Sequence, residues 1–243
     1  GDGKLEFFDK TMRDHKPGGF GTLSVQEVFE KSSNIGVAKL ISHYFGNEPE
    51  KFTNYLKQMN LHQPLDFQMV GEGKPYIKDP SDSTWSGVSL PWMSHGYELK
   101  MTPLQMLTLY NAVANDGKMV KPMIVKGVMK ADRMVEEFDT EVINEKIASK
   151  KTLKEVKLMM EGVVERGTAK NINHSHYKIA GNTGTAKKVK NGRYVKEYYT
   201  SFAGYFPAEA PRYSCIVVID NPKGYQIYGS DVSAPVFKEI ADK

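Results

Sequence analysis

Ile179-Ala180-Gly181-Asn182-Thr183-Gly184-Thr185-Ala186 decides how the rest of the chain is read. Tyr177 and Ile179 are strand formers just upstream or within it. Downstream, a lysine-rich run reaches Asn191-Gly192, and a second strand-like run begins at Arg193-Tyr194-Val195. An Asn-Gly pair between two such runs is a strong hairpin signal, because both central residues of a type I′ turn need positive φ. Segments 177–190 and 193–206 are therefore expected to be antiparallel neighbours. Thr183 and Thr185 are two residues apart, so their hydroxyls leave one face. Gly181, Gly184 and Ala186 are small and are expected to leave room along the strand edge. Such an edge suits an extended peptide added as an extra strand, its carboxylate held by the two hydroxyls. Taken alone, the stretch reads equally well as a Gly/Thr strand with no site.

The 243 residues fit one large domain or two small ones, long enough for a sizeable core. Charged residues at 26% and hydrophobic ones at 40% are ordinary globular composition. A net charge of +4, with no basic stripe carrying interleaved aromatics, gives no argument for nucleic acid. The one cysteine, Cys215, lies in the apolar run Ser214–Ile219 and reads as a small buried hydrophobe. No apolar run is long enough to span a membrane, and no signal peptide is seen. The chain opens Gly1-Asp2-Gly3 without methionine, which reads as a processed product or an excised piece.

Residues 1–21 read as a loop or short strand. Ser24 with Glu27 three residues on forms a capping box that opens a helix. Ser32-Ser33-Asn34 interrupts it, since three short polar side chains compete for backbone hydrogen bonds. They either cap the next helix, which runs from Ile35 to Gly46, or face a site. Pro49 starts a third helix, 50–60. Residues 61–100 lack periodicity and form a long irregular insertion, of the kind that wraps a site. Thr102-Pro103-Leu104-Gln105 is a second capping box, with Asn115-Asp116-Gly117 as the stop. Short strands are expected at 119–120, 124–129 and 134–138, and a strong helix over 150–166. Strands 201–207 and 213–220 follow. The latter is apolar on both faces and is expected in a central or doubly covered position. Ser233-Ala234-Pro235 is read as the cap of a last helix, 236–242. The fold class is thus α/β of the α+β type: an antiparallel sheet with helices on both faces.

In order, these pieces resemble the transpeptidase domain of class B penicillin-binding proteins, of the type that cross-links peptidoglycan in cell division. Ser32-Ser33-Asn34 is similar to the family's Ser-x-Asn motif. Thr183-Gly184-Thr185-Ala186 matches most of its Lys-Thr-Gly-Thr-Ala strand. Thr102–Gln105 with Asn115–Gly117, Glu161–Val164 with Gly167-Thr168-Ala169, Phe202–Ala208, Val217–Pro222 and Ala234–Phe237 are similar to further family segments. Seven matches in register over nearly the whole chain carry the resemblance.

The resemblance implies an acyl-serine mechanism on D-Ala-D-Ala stem peptides, with β-lactams as ligands and other cell-division proteins as partners. It implies no cofactor and no metal, and the histidines show no metal-ligand spacing. Ser32 would relay protons, and Asn34 would bond the acyl-chain amide. Thr183, Gly184 and Thr185 would hold the carboxylate end, with Asn182 beside them. The periplasmic face of the inner membrane is the implied setting. Two departures stand out. No Ser-x-x-Lys precedes Ser32, and the single literal match, Ser175–Lys178, is out of family order. Asn182 stands where the family has lysine, which removes a cation from the carboxylate site. The expectation is a partial transpeptidase domain over 1–243 that lacks its nucleophile, is inert alone, exposes a sheet edge or an apolar face, and for that reason self-associates or is partly disordered. The alternative, favoured by Asn182, is a degenerate non-catalytic module that binds peptide or a division protein. β-Lactamases and carboxypeptidases share the strand motif but need the same missing serine; the middle serine of Ser-Ser-Asn and the long 61–100 insertion fit a transpeptidase better.

Overall fold

The computed structural model describes residues 2–190 and 193–243. Its centre is a three-stranded antiparallel sheet of β9 (Ala180–Lys190), β10 (Arg193–Phe206) and β11 (Tyr213–Asp220), in the order β11-β10-β9. The expected pairing of the two long runs is present, with Thr183 opposite Phe202 and Thr185 opposite Thr200. The Asn191-Gly192 turn itself lies outside the described residues.

Side chains alternate across this sheet and build two cores. On one face Ile179, Phe202 and Phe206 pack with Ala234 and Phe237 of α7 (Gly229–Ala241). The rings of Phe202 and Phe237 meet edge to face with centroids 4.7 Å apart. On the other face Ala180, Ala203 and Tyr205 pack against Tyr110 and Val113 of α5 (Pro103–Ala114) and Leu153 and Met160 of α6 (Lys150–Glu165). Helices therefore cover both faces, as the sequence pattern implies. Phe202, Tyr205 and Phe237 are fully buried, each contributing about 1.5–3 kcal/mol of apolar burial.

The remaining helices start where the caps place them. In α1 (Val25–Glu30) the Ser24 hydroxyl accepts from the Glu27 N–H at 3.2 Å, and the Glu27 carboxylate accepts from the Ser24 N–H at 2.9 Å. The Ser24 N–H and Lys31 together hold the Glu27 carboxyl down at about 2. Thr102 and Gln105 close the same box at the start of α5. Between α1 and α5 lie α2 (Asn34–Phe45), α3 (Pro49–Gln58) and α4 (Ser89–Met93).

Several expectations need correction. Residues 4–13 form a hairpin of β1 (Lys4–Phe7) and β2 (Lys10–Arg13). The 61–100 stretch is packed as well as irregular. It holds the short pair β3 (Tyr76–Ile77) and β4 (Leu99–Lys100) together with α4, and Leu61, Ile77 and Met93 form a core of their own. The strand expected at 124–129 starts later, as β6 (Gly127–Lys130), and pairs with β7 (Arg133–Glu137). Next to it β5 (Met119–Val120) pairs with β8 (Val142–Asn144). The last helix begins at Gly229, and Pro235 lies inside it. The buried series Gly229, Ser233, Ala234 and Phe237 continues at helical spacing, and the Ser233 hydroxyl bonds that of Thr200 at 3.0 Å. This packing overrides the local preference of Ser-Ala-Pro to start a helix. Lys188, in the lysine-rich run before the turn, is largely covered. It pairs with Asp220 and lies 4.4 Å from the Tyr199 ring centroid.

The apolar strand β11 is at the sheet edge, not its centre. Ile216 and Val217 point to opposite cores and are each only partly buried, because no strand lies beyond them among the described residues. From Ser214 to Ile219 the strand has no charge, proline or bulge to blunt pairing. Residues 1–243 are therefore expected to self-associate as concentration rises in sedimentation velocity. A monomer at every concentration, with no binding of an apolar fluorescent dye, contradicts this.

Candidate active site

Strand β9 is the other edge of the sheet. The Asn221 N–H donates to the Tyr198 carbonyl, so even-numbered residues of β10 face β11 and odd-numbered ones face β9. It follows that Asn182 and Gly184 bond β10 through their backbones, while Gly181, Thr183 and Thr185 direct N–H and C=O outward. The Thr183 N–H is already engaged, since it donates to Asn182 Oδ1 at 2.8 Å. Thr183 Oγ1 lies 2.9 Å from Thr168 Oγ1. Thr185 is exposed, and its hydroxyl accepts from the Gly229 N–H at 3.0 Å. That amide opens the 13-residue helix α7, whose N-terminal dipole favours negative charge at this point.

The glycines do something other than expected. A Cβ on Gly181 would stand 2.5 Å from the Ala203 carbonyl oxygen and 2.7 Å from the Phe202 ring. A Cβ on Gly184 would stand 2.4 Å from Ser201 Oγ. Their lack of side chains serves packing inside the sheet, and the room is already filled.

The Ser32–Asn34 turn divides its labour. Ser33 caps α2, accepting from the Gly36 N–H at 3.0 Å and donating to the Asp14 carboxylate at 3.0 Å. Asp14 also accepts from the Ile35 N–H at 3.1 Å. Asn34 Nδ2 donates to the Arg13 carbonyl at 2.9 Å. Ser32 is exposed and sits at φ 50°, a left-handed conformation that is uncommon for serine. Capping is thus the role of Ser33, and Ser32 is the hydroxyl left outward.

Contacts link this turn to β9 on two sides. Glu30, two residues before Ser32, is 3% exposed. Its carboxylate accepts from Gln26 Nε2 at 2.7 Å and pairs with Arg166 Nη2 at 2.7 Å. The pairing pushes the Arg166 guanidinium pKa up further. The Glu30 carbonyl accepts from the Thr168 N–H at 3.0 Å, and Thr168 reaches Thr183. On the other side, His15 follows Asp14, and its ring centroid is 6.3 Å from that of Tyr228, the N-cap of α7. Ser32, Asn34, Thr183 and Thr185 therefore border one circuit. Ser32 and Asn34 make no hydrogen bond with Asn182, Thr183 or Thr185.

The sequence reading missed Thr168, Glu30, Asp14 and Gly229. Thr168 lies in Gly167-Thr168-Ala169, a segment that resembles the family but to which the resemblance assigns no role. The others gave no local signal, since each acts through a partner at least 19 residues away. A cavity of about 360 Å³ opens beside the α2 cap, lined by Asp14, Phe20, Ser33 and Lys39 among others, but not by Thr183 or Thr185. Among the described residues no group of three or more His, Cys, Asp or Glu could hold a metal ion.

A Thr-Gly-Thr strand at a sheet edge, with the N-terminus of α7 against it, sits in a mixed α/β class of fold: an antiparallel sheet with helices on both faces. Within that class, the chain belongs to the penicillin binding protein transpeptidase domain family, whose model matches residues 2–242. It is 36% identical over 220 residues to the peptidoglycan D,D-transpeptidase FtsI of Buchnera aphidicola, covering 90% of this chain and 36% of that protein. It is 32% identical to FtsI of Escherichia coli K12, covering 91% of this chain and 35% of that protein. The crystal structure of penicillin binding protein 3 from Mycobacterium tuberculosis complexed with aztreonam superposes with a TM-score of 0.84 at 31% identity, covering 99% of this chain and 55% of that one. The chain thus spans about a third of the length of these curated relatives.

Proposed function

We propose that this chain supplies the carboxylate-binding and proton-relay half of a peptidoglycan D,D-transpeptidase site, with the acylating serine outside residues 1–243. The observation that carries the reading is the edge of β9, where the Thr185 hydroxyl and the Gly229 amide converge at the N-terminus of α7. Thr185 Oγ1 accepts from Gly229, so its own proton is directed to an incoming acceptor. A D-Ala-D-Ala carboxylate at Thr183 and Thr185 gains both hydroxyl donors and the helix field. The outward N–H and C=O of Thr185 pair with the peptide backbone, and that N–H serves as half of the oxyanion hole. Ser32 is the exposed hydroxyl available to pass a proton to the leaving nitrogen. Asn34 bonds the acyl-chain amide once its Nδ2 exchanges the Arg13 carbonyl for substrate.

In the acylation step the nucleophile's hydroxyl oxygen attacks the penultimate D-Ala carbonyl. Its proton goes to a base, the C–N bond breaks, and the terminal D-alanine leaves with a proton delivered through Ser32. A second stem-peptide amine then takes the acyl group and regenerates the serine. β-Lactams enter as mimics of the same carboxylate and amide. The setting is the periplasmic face of the inner membrane, with division proteins as further partners; no helix among the described residues is long and apolar enough to cross a membrane. A second reading, a non-catalytic peptide-binding module, is favoured by Asn182, whose side chain closes off the Thr183 N–H that an added strand would use.

Incubation of residues 1–243 with a fluorescent penicillin, read by intact mass, is expected to give no adduct, while a D-Ala-D-Ala peptide still binds reversibly. Thr185→Val should weaken that binding by about tenfold, since it removes one charge-assisted hydrogen bond. A stoichiometric adduct on a single serine, with Ser32 and Ser175 the first to map, would overturn the assignment of the nucleophile.

A further inference from the structure

The geometry points to Thr168 as a positioning residue that sets the donor direction of the Thr183 hydroxyl and ties the carboxylate site to the Ser32–Asn34 turn. This inference rests on the carboxylate-site reading above and deepens it. Thr168 makes two bonds to two different sides of the site. Its N–H donates to the Glu30 carbonyl at 3.0 Å, and its Oγ1 lies 2.9 Å from Thr183 Oγ1.

Neither end of this link is loose. Glu30 is held by Gln26 and Arg166 in a seat where only glycine fits. A Cβ on Gly162 would stand 1.9 Å from the Glu30 carboxylate oxygen, and one on Gly167 would stand 2.2 Å from the Glu30 carbonyl oxygen. The end of α1 is thereby docked on the end of α6, and the chain from Glu30 to Ser32 has only one residue of slack. At the other end, Thr183 sits in a paired strand whose register is fixed opposite Phe202, a fully buried ring.

A hydroxyl has one proton and two acceptor lone pairs. If Thr183 donates to Thr168, its proton is spent and it meets a carboxylate with lone pairs, which repel it. If Thr168 donates to Thr183, the Thr183 proton is released toward the edge of β9. A bound carboxylate selects the second arrangement, and the two bonds then run head to tail and strengthen each other. Thr168 therefore makes Thr183 a donor in the liganded state. Valine has the same shape without the hydroxyl, so Thr168→Val leaves Thr183 free to turn away. Serine keeps the hydroxyl.

The test compares two probes on residues 1–243, acetyl-D-Ala-D-Ala as carboxylate and as C-terminal carboxamide, titrated by isothermal calorimetry or NMR. Thr168→Val is expected to weaken carboxylate binding about fivefold while leaving carboxamide binding within twofold, so that the discrimination between the probes narrows. Thr168→Ser is expected to restore the discrimination. A purely structural role for Thr168 would lower both affinities together and lower the melting temperature. Equal loss for both probes, or unchanged discrimination in Thr168→Val, overturns the inference. Failure of the unsubstituted chain to prefer carboxylate over carboxamide overturns the carboxylate-site reading instead.

Discussion

Asn182→Lys should tighten the binding of D-Ala-D-Ala peptides to this chain by at least tenfold, and the gain should shrink as salt is added. Two effects combine. The substitution removes the Oδ1 acceptor that now holds the Thr183 N–H, so the edge of β9 regains a backbone donor for an added strand. It also places an ammonium beside the carboxylate. A cation about 6 Å from an anion is worth roughly 3 kcal/mol at an effective dielectric near 20, and screening at this half-exposed edge leaves about 1.4 kcal/mol, or a factor of ten. Asn182→Ala separates the two, since it frees the N–H without adding charge. It should give a smaller gain that does not depend on salt. If neither variant binds more tightly, the neutral residue at 182 is not what limits this site.

Gly229→Ala should damage both the fold and the site. Gly229 has an ordinary backbone conformation, so alanine meets no φ penalty there, and the cost is steric. Its Cβ would stand 2.4 Å from the Ser201 carbonyl oxygen and 2.5 Å from that of Gly184. Both are backbone atoms inside the paired part of the sheet and cannot swing aside. The start of α7 must lift, which costs about 2–3 kcal/mol by overpacking and breaks the Gly229–Thr185 hydrogen bond. Chemical denaturation should show the loss in stability, and peptide binding should fall below detection. Val236→Ala, on the exposed side of the same helix, should cost less than about 1 kcal/mol and leave binding unchanged. Wild-type stability in Gly229→Ala would mean that α7 does not press on β9 as described.

The parts legible in the sequence are those decided by local chemistry. Ser24 with Glu27 and Thr102 with Gln105 gave both capping boxes, because each box is closed within four residues. The Asn191-Gly192 pair gave the partnership of β9 and β10. What stayed hidden is decided at a distance. The unbroken apolar run of β11 suggests a strand covered on both sides, and the helices α5 and α7 do cover its faces, but sheet order is set by strand partners the pattern does not name. Pro235 reads as a helix start locally, and only the burial of Ser233 and Phe237 against the sheet shows why the helix runs through it. In the candidate site, the two-residue spacing of Thr183 and Thr185 already places them on one face of β9. Thr168 and Gly229, which bond them, lie 15 and 44 residues away in sequence, too far for local spacing to pair them.

The central claim is that the edge of β9 from Asn182 to Thr185 binds a peptide carboxylate. An NMR titration of residues 1–243 with acetyl-D-Ala-D-Ala tests it most directly. The account predicts saturable shifts of the Thr183, Thr185 and Gly229 amides, with smaller shifts at Thr168, Ser32 and Asn34, and little response to the carboxamide analogue. Shifts confined to the cavity around Asp14 and Lys39, or equal responses to carboxylate and carboxamide, would contradict it.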